Sequence, residues 1–184
     1  ATVLTRLLDR PHPTQRIAVI IALKRMRALQ PAQKIAGFLT SAEPTLRFAA
    51  LDYLAETNPP SALEAVLKSM AAEESPDGWL EVYVRYLEGA APRNAMAAEA
   101  LLRKLQPDGV DREQLLLVTR SLARIAPVGH RETIRRCKSV LELGATENLG
   151  LACAVTMHAL GDRSGYSMLE KRLTTLIRRE RDKD

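Results

Sequence analysis

One motif occurs twice in this chain, and its spacing constrains the fold more than any other feature. The copies begin at Pro13 and Pro44, and each reads Pro-Thr-x-Arg, an apolar residue, Ala, and then Leu five positions later. The 31-residue offset also aligns apolar residues in the segments that follow, namely Ile35 with Val66 and Leu39 with Met70. A period of this length predicts a helical-repeat protein, in which every repeat is a pair of helices.

Each unit reads as two amphipathic helices. After Pro13, apolar residues recur at helical spacing, and Pro31 marks the start of a second helix. Later units keep paired helical segments separated by turns that contain Pro or Gly. The predicted fold is all-α, a single repeat domain over 1–184 with about ten helices and no sheet. Its predicted segments are 1–12 (a half-unit), 13–43, 44–75, 76–106, 107–145 and 146–184.

The opening half-unit is a short helix with one apolar face. A single helix cannot bury that face alone, so we expect the chain to be part of a longer repeat array. Within the full units, seven apolar residues fall on stripes that we expect to lie between helices. These residues are Ala18, Leu23, Ala49, Leu54, Leu101, Leu122 and Met157.

The repeated motif resembles the HEAT repeat, especially the short bacterial form of phycobilisome lyases. The resemblance is good over 13–70, fair over 148–176 and weak between, where Gly78 replaces the Arg of the motif. It implies an α-α superhelix, a right-handed solenoid of helical hairpins, with the Arg-bearing helices on the concave face. It also implies a structural role for Arg16 and Arg47, bonded to carbonyls or carboxylates of the turns.

Charge is distributed in three bands. Residues 1–47 contain eight Lys and Arg against two Asp and Glu, a net charge of +6. Residues 48–92 contain two against eight, a net −6, and residues 93–184 contain seventeen against twelve, a net +5. Nucleic-acid-binding proteins usually carry one basic stripe, so the alternation favours a protein partner. A solvated surface with uneven charge remains the simpler interpretation of any single band.

Few residues could carry catalysis. The sequence contains no metalloprotease, serine-hydrolase, P-loop or dinucleotide-binding motif. His12, His130 and His158 lie far apart, and none has a second ligand at the spacing of a metal site. Cys137 and Cys153 form no Cys-x-x-Cys pair, and we expect two buried, reduced thiols. The chain is therefore predicted not to be an enzyme.

Trp79 is the only tryptophan, and it follows a loop that contains Glu73, Glu74 and Asp77. Carboxylates beside an aromatic ring could form an acidic site, but a solvated turn is the favoured interpretation. Trp79 itself is expected in the core, with an anchor of a binding surface as the alternative.

A stack of helical hairpins presents side chains at regular intervals along a curved surface. The predicted function is a non-catalytic protein–protein interaction scaffold or adaptor, cytoplasmic or the cytosolic region of a larger protein, with no cofactor and no membrane insertion. Two alternatives are a nucleic-acid-binding protein resembling HEAT-like DNA glycosylases and a lyase-type subunit that acts with a partner. The candidate partner-binding residues are Asp52, Glu56, Glu81, Arg85, Glu88, Arg120, Arg124, Arg131, Arg135 and Lys138.

Overall fold

A computed structural model describes residues 2–73, 78–104, 111–142 and 146–181. Over these residues the chain is all-α, as predicted, with eleven α-helices, two short 3-10 segments and no strand. The helices fall into two compact units, 1–91 and 92–184. The single repeat domain over 1–184 and its internal boundaries stay a prediction.

The first unit contains six helices. They are α1 (Thr2–Leu7), α2 (Pro13–Arg25), α3 (Ala32–Ala36), α4 (Pro44–Thr57), α5 (Leu63–Ala72) and α6 (Trp79–Ala90), with 3-10 segments at Gly37–Thr40 and Pro60–Ala62. Proline occupies the first position of α2 and of α4, where its missing N–H costs no hydrogen bond. Asn58 ends α4 in the left-handed conformation, with φ of 48°.

Helix α4 lies between α2 and α6 and packs against both. Contacts advance in the same direction along α4 and α6, because Phe48 meets Trp79 and Asp52 meets Arg85. The same holds for α2 and α4, where Lys24 meets Asp52 and Arg27 meets Glu56. The three helices therefore run parallel as one row, which the sequence repeat predicts for equivalent helices of successive units.

The 31-residue repeat is also visible in the burial of side chains. Residues that the offset aligns share one environment, since Leu23 and Leu54 are both fully buried. The aligned pairs Ile35 with Val66 and Leu39 with Met70 are buried as well. The sequence period therefore describes a real structural period in this unit.

The structural role expected of Arg16 and Arg47 is confirmed by their hydrogen bonds. Arg16 Nε donates to the carbonyl of Arg10 at 2.6 Å, and Arg47 Nη1 donates to the carbonyl of Ser41 at 3.0 Å. Each acceptor lies six residues before its arginine, in the turn that precedes the helix. The guanidinium thus ties the helix to the turn before it in both copies.

The core prediction is confirmed for five of its seven residues. Leu23, Leu54, Leu101, Leu122 and Met157 are buried, and Ala49 is half-buried. The prediction for Ala18 is wrong, because its side chain is exposed. Helix α2 buries Val19, Ile20 and Leu23 instead. Ala18 belongs to the repeated motif, but the neighbouring helices cover a different face of α2.

Two buried tyrosines link the helices of the first unit through their hydroxyl groups. Tyr86 donates to the carbonyl of Pro59 at 2.8 Å, and Tyr83 Oη lies 2.8 Å from Ser69 Oγ. Burial raises the pKa of Tyr86 to about 12 and also raises the pKa of Tyr83. Both hydroxyls therefore stay protonated at neutral pH and act as hydrogen-bonding groups in the core.

The second unit contains α7 (Ala95–Lys104), α8 (Arg112–Ile125), α9 (Arg131–Glu142), α10 (Glu147–Ala159) and α11 (Arg163–Arg181). Helix α10 packs against α8, α9 and α11 and is the centre of this unit. Its contact with α8 includes a buried hydrogen bond, in which Thr156 Oγ1 donates to the carbonyl of Thr119 at 2.7 Å. Position 156 therefore accepts a polar residue in the core because its hydroxyl is satisfied.

The two cysteines are buried and unbridged, as predicted. Cys137 on α9 and Cys153 on α10 pack in one cluster with Leu149 and Met157. The Cys137 thiol hydrogen-bonds to Cys153, and this bond together with burial raises the pKa of Cys137. The Cys137 group is therefore a neutral part of the core.

Asp162 fixes the start of α11. Its Oδ1 accepts the backbone N–H of Ser164 at 2.9 Å, as an N-cap residue does, and its Oδ2 lies 2.9 Å from Lys138 Nζ. The hydrogen bonds from Ser164 and Lys138 hold the pKa of Asp162 below its ordinary value. The carboxylate form is thus favoured in the folded protein.

We expect Asp162→Ala to lower the free energy of unfolding by about 1 kcal/mol at neutral pH. Because the pKa of Asp162 is lower in the folded than in the unfolded protein, its carboxylate stabilises the fold at pH values above the unfolded pKa. This contribution is lost as the pH falls through the folded pKa. The difference between wild type and variant should therefore shrink in acid. Urea unfolding followed by circular dichroism at several pH values measures it. Asp111→Ala is the control, because Asp111 occupies the N-cap position of α8 but its side chain makes no capping hydrogen bond.

Candidate binding groove

An open groove of ≈ 490 Å³ runs along the row of parallel helices in the first unit. Its apolar part is lined by Ile17, Ile20, Ile21, Phe48, Ala49 and Trp79. Lys24 and Asp52 line its other end. We call this feature the α2–α4 groove, since these two helices supply most of its lining.

Large apolar side chains in the groove remain partly open to solvent. Phe48 is 38% exposed and Ile21 is 43% exposed. Trp79 is half-buried, so it lies in the wall of the groove and not in the core. The expectation that Trp79 lies in the core is therefore wrong. Exposed aromatic and aliphatic residues in one concavity are typical of binding sites.

The Phe48 and Trp79 rings form an aromatic wall of the groove, and neighbouring side chains hold it in place. The Phe48 and Trp79 rings meet edge to face with centroids 5.3 Å apart, and the Arg47 guanidinium lies 5.6 Å from the centroid of the Trp79 ring. Arg47 is itself fixed by the carbonyl of Ser41 and by Glu73 at 3.3 Å. These contacts pre-order the wall, which lowers the entropy that a ligand would lose on binding.

Three charged side chains meet at the polar end of the groove. Asp52 Oδ2 pairs with Lys24 Nζ from α2, and Asp52 Oδ1 lies 2.7 Å from Arg85 Nη2 on α6. The carboxylate therefore joins all three helices of the row. One turn further along, Arg27 Nη2 lies 3.1 Å from Glu56 Oε1 and repeats the contact between α2 and α4.

The acidic candidates thus divide into two groups. Asp52 and Glu56 form ion pairs with the basic band of α2, so part of the predicted charge alternation is neutralised within this unit. Glu81 is exposed on α6, and Glu88 is half-buried on the same helix. Arg85 belongs to the same segment, residues 48–92, and contacts Asp52 together with Lys24. The structure therefore brings Asp52 and Arg85 together, and Asp52 is the one of the two that lines the groove.

The basic candidates lie in the second unit. Arg120 and Arg124 are exposed on α8, and Arg131 is exposed at the start of α9. Arg135 forms a two-point contact with Glu132, at 2.6 Å and 3.0 Å, and Lys138 pairs with Asp162. Two of these basic candidates, Arg135 and Lys138, are therefore already paired with carboxylates of their own unit.

Sequence reasoning did not assign the apolar groove residues to a binding site. A signal was present, because Ile17, Phe48 and Trp79 occupy the same repeat position at 31-residue spacing. Of these three residues, the core prediction covered Trp79 alone. Only the contacts of the helices show that this position faces an open groove.

Of the three carboxylates before Trp79, Glu73 lies in the part of the chain that the structure describes. Glu73 contacts Arg47, while Glu74 and Asp77 lie outside the described residues. In the part of the chain that the structure covers, no three His, Cys, Asp or Glu residues cluster as metal ligands would. None of the described helices combines the length and apolar character needed to cross a membrane.

Comparison with known proteins gives no family assignment. The chain matches no protein-family model, and no curated protein matches it in sequence. The groove therefore has to be interpreted from its own chemistry.

Proposed function

We propose that the chain is a non-catalytic protein-binding module and that the α2–α4 groove is its binding surface. In this proposal its hairpins are HEAT-like repeats of a right-handed solenoid, and α2, α4 and α6 belong to the concave row. One observation carries the proposal. Phe48 and Ile21 are partly exposed in the groove, beside the Trp79 ring.

The partly exposed apolar side chains of the groove are suited to binding a partner. Aromatic and aliphatic side chains in a concave, pre-ordered site can be buried by a partner at little entropic cost. About 25 cal/mol is gained per Å² of apolar surface removed from water. The groove lining contains Lys24 and Asp52, and these two charges are already paired with each other. This arrangement suits recognition better than acid–base chemistry.

Nucleic-acid binding is the weaker alternative. A nucleic-acid-binding surface needs several cations that are available to phosphates. In the second unit, Arg135 and Lys138 are bound to Glu132 and Asp162. In the first unit, Lys24 and Arg85 share Asp52. These pairings favour a protein partner, and no structural observation favours the lyase-type alternative.

Affinity capture from the source cell tests the proposed function. We expect the wild-type protein to retain a protein partner. The amount that Ile21→Glu retains should be lower by about tenfold or more, because a charge is placed in the apolar groove. The matched control is Leu151→Glu, since Leu151 is a similarly exposed residue (45%) on α10 in the second unit.

Two outcomes would contradict the proposal. Equal capture by wild type and Ile21→Glu would remove the groove from the binding surface. Tight binding of DNA by the wild type at physiological salt, with a steep dependence on salt concentration, would favour the nucleic-acid alternative instead.

A further inference from the structure

Three sulfur-containing side chains meet in the core of the second unit. Cys137 on α9 and Cys153 and Met157 on α10 belong to one cluster of buried residues, and none is more than 4% exposed. Cys153 and Met157 are four residues apart, so they lie on the same face of α10. Helix α9 packs against α10, and the two thiols are in hydrogen-bond contact. The packing of two helices therefore brings together two thiols and one thioether.

This set of side chains matches the ligand preference of a soft metal ion. Thiolate and thioether sulfur atoms select ions such as Cu(I), whereas carboxylate and carbonyl oxygen atoms select hard ions such as Mg²⁺. The other described members of the cluster are hydrocarbon side chains, namely Leu115, Leu116, Val140, Leu141 and Leu149. The surroundings therefore favour a soft ion held by sulfur alone.

The low polarity of this part of the core determines the charge that the ion can carry. A charge buried in apolar surroundings is costly unless an opposite charge compensates it. When Cu⁺ binds one thiol, a proton leaves and a copper–thiolate bond forms, so the product has no net charge. The second thiol and the thioether then coordinate as neutral ligands. A divalent ion such as Zn²⁺ would need two thiolates for neutrality and a fourth ligand for its tetrahedron.

The site needs little rearrangement, and a groove leads towards it. A metal–thiolate bond of about 2.3 Å places two sulfur ligands about 4 Å apart, so thiols that are already in contact have to move little. Leu141 packs against the sulfur cluster and also lines an open groove of ≈ 350 Å³, whose other lining residues include Gly150 and Met168. Movement of the half-buried Leu141 side chain therefore opens an entry path for the ion.

We infer that Cys137, Cys153 and Met157 form a three-sulfur site for Cu(I). The bound ion links α9 to α10 through one thiolate, one thiol and one thioether. Because the three ligands are brought together by folding, the ion binds the folded chain and stabilises it. The site belongs to the second unit, and the inference does not depend on the proposed function of the α2–α4 groove.

Anaerobic titration of the reduced full chain with Cu(I), in competition with a chromophoric Cu(I) chelator, tests the inference. We expect one ion bound per chain and a rise in the temperature of thermal unfolding. Cys137→Ala and Cys153→Ala should each weaken the affinity by about tenfold or more, since each removes one sulfur ligand. X-ray absorption at the copper edge should find three sulfur neighbours around the ion.

Met157→Leu separates a ligand from a residue that only fills the core. Leucine keeps the approximate volume of the side chain and removes the sulfur, so we expect the variant to fold and to bind Cu(I) about tenfold more weakly. The matched control is Met70→Leu on α5, because Met70 is also 1% exposed but belongs to the first unit. The control should bind Cu(I) as the wild type does. Circular dichroism establishes that each variant is folded.

Four results would overturn the inference. The first is a wild-type chain that takes up no Cu(I) against the chelator, and the second is equal affinity in wild type and Met157→Leu. The third is copper binding that survives both cysteine substitutions, which would mark a surface site. The fourth is a ligand shell of nitrogen or oxygen atoms, or stoichiometric Zn²⁺ binding that requires the two cysteines, because either contradicts a soft site for a monovalent ion.

Discussion

Replacing Leu54 by alanine should lower the free energy of unfolding by about 2–5 kcal/mol. Leu54 lies on α4, between α2 and α6, and its side chain is fully buried. The substitution removes one methine and two methyl groups from a closely packed site, and the neighbouring helices can close the cavity only in part. Urea unfolding followed by circular dichroism measures the change.

Leu29→Ala is the matched control for this prediction. Leu29 belongs to the same unit but is 59% exposed, so its truncation should change stability by less than about 0.5 kcal/mol. A loss at Leu54 no larger than the loss at Leu29 would show that the register of α4 is wrong. The groove would then be misplaced too, because Phe48 and Asp52 depend on the same register.

Replacing Gly165 by alanine should destabilise the second unit by about 1–3 kcal/mol. Gly165 lies in the first turn of α11, where the helix crosses close to α10. A Cβ at this position would lie 2.5 Å from the His158 nitrogen and 2.7 Å from the Ala154 carbonyl oxygen. Both atoms belong to the backbone of α10, so the helices would have to separate to accept a methyl group. Thermal unfolding detects the effect.

Gly150→Ala is the control for the glycine prediction. Gly150 lies within α10, and among the described residues a Cβ there would meet Leu141 Cδ2 alone, at an ordinary contact distance of 3.6 Å. Because alanine is the better helix former, this change should be neutral or stabilise by about 0.5–1 kcal/mol. Equal stability of the two variants would contradict the close approach of α10 and α11 at Gly165.

Much of the fold could be predicted from the sequence, because it depends on local signals. Helix boundaries follow from the proline and glycine turns and from the spacing of apolar residues. The repeat predicted that Leu23 and Leu54 share one buried position, and the resemblance carried by the repeated motif implied that Arg16 and Arg47 bond to groups of the turns. These features need only a residue type at a fixed distance along the chain.

The candidate site could be predicted only in part. Asp52 and Arg85 were identified as charged surface candidates, but their contact joins residues 33 positions apart on different helices. Lys138 was identified as a basic partner-binding candidate, yet it pairs with Asp162 at the start of α11. Charge along a sequence gives the sign of a segment, whereas the packing of helices decides which charges neutralise each other.

The sequence by itself determined the all-α fold, the 31-residue period of the first unit and the burial of Leu23 and Leu54. The tertiary structure alone decided that Ala18 is exposed and that the position shared by Phe48 and Trp79 faces a groove. The physical reason is that periodicity specifies which residues share a face of a helix. The placement of the neighbouring helices decides how much of that face is covered, and at the α2–α4 groove they leave it open.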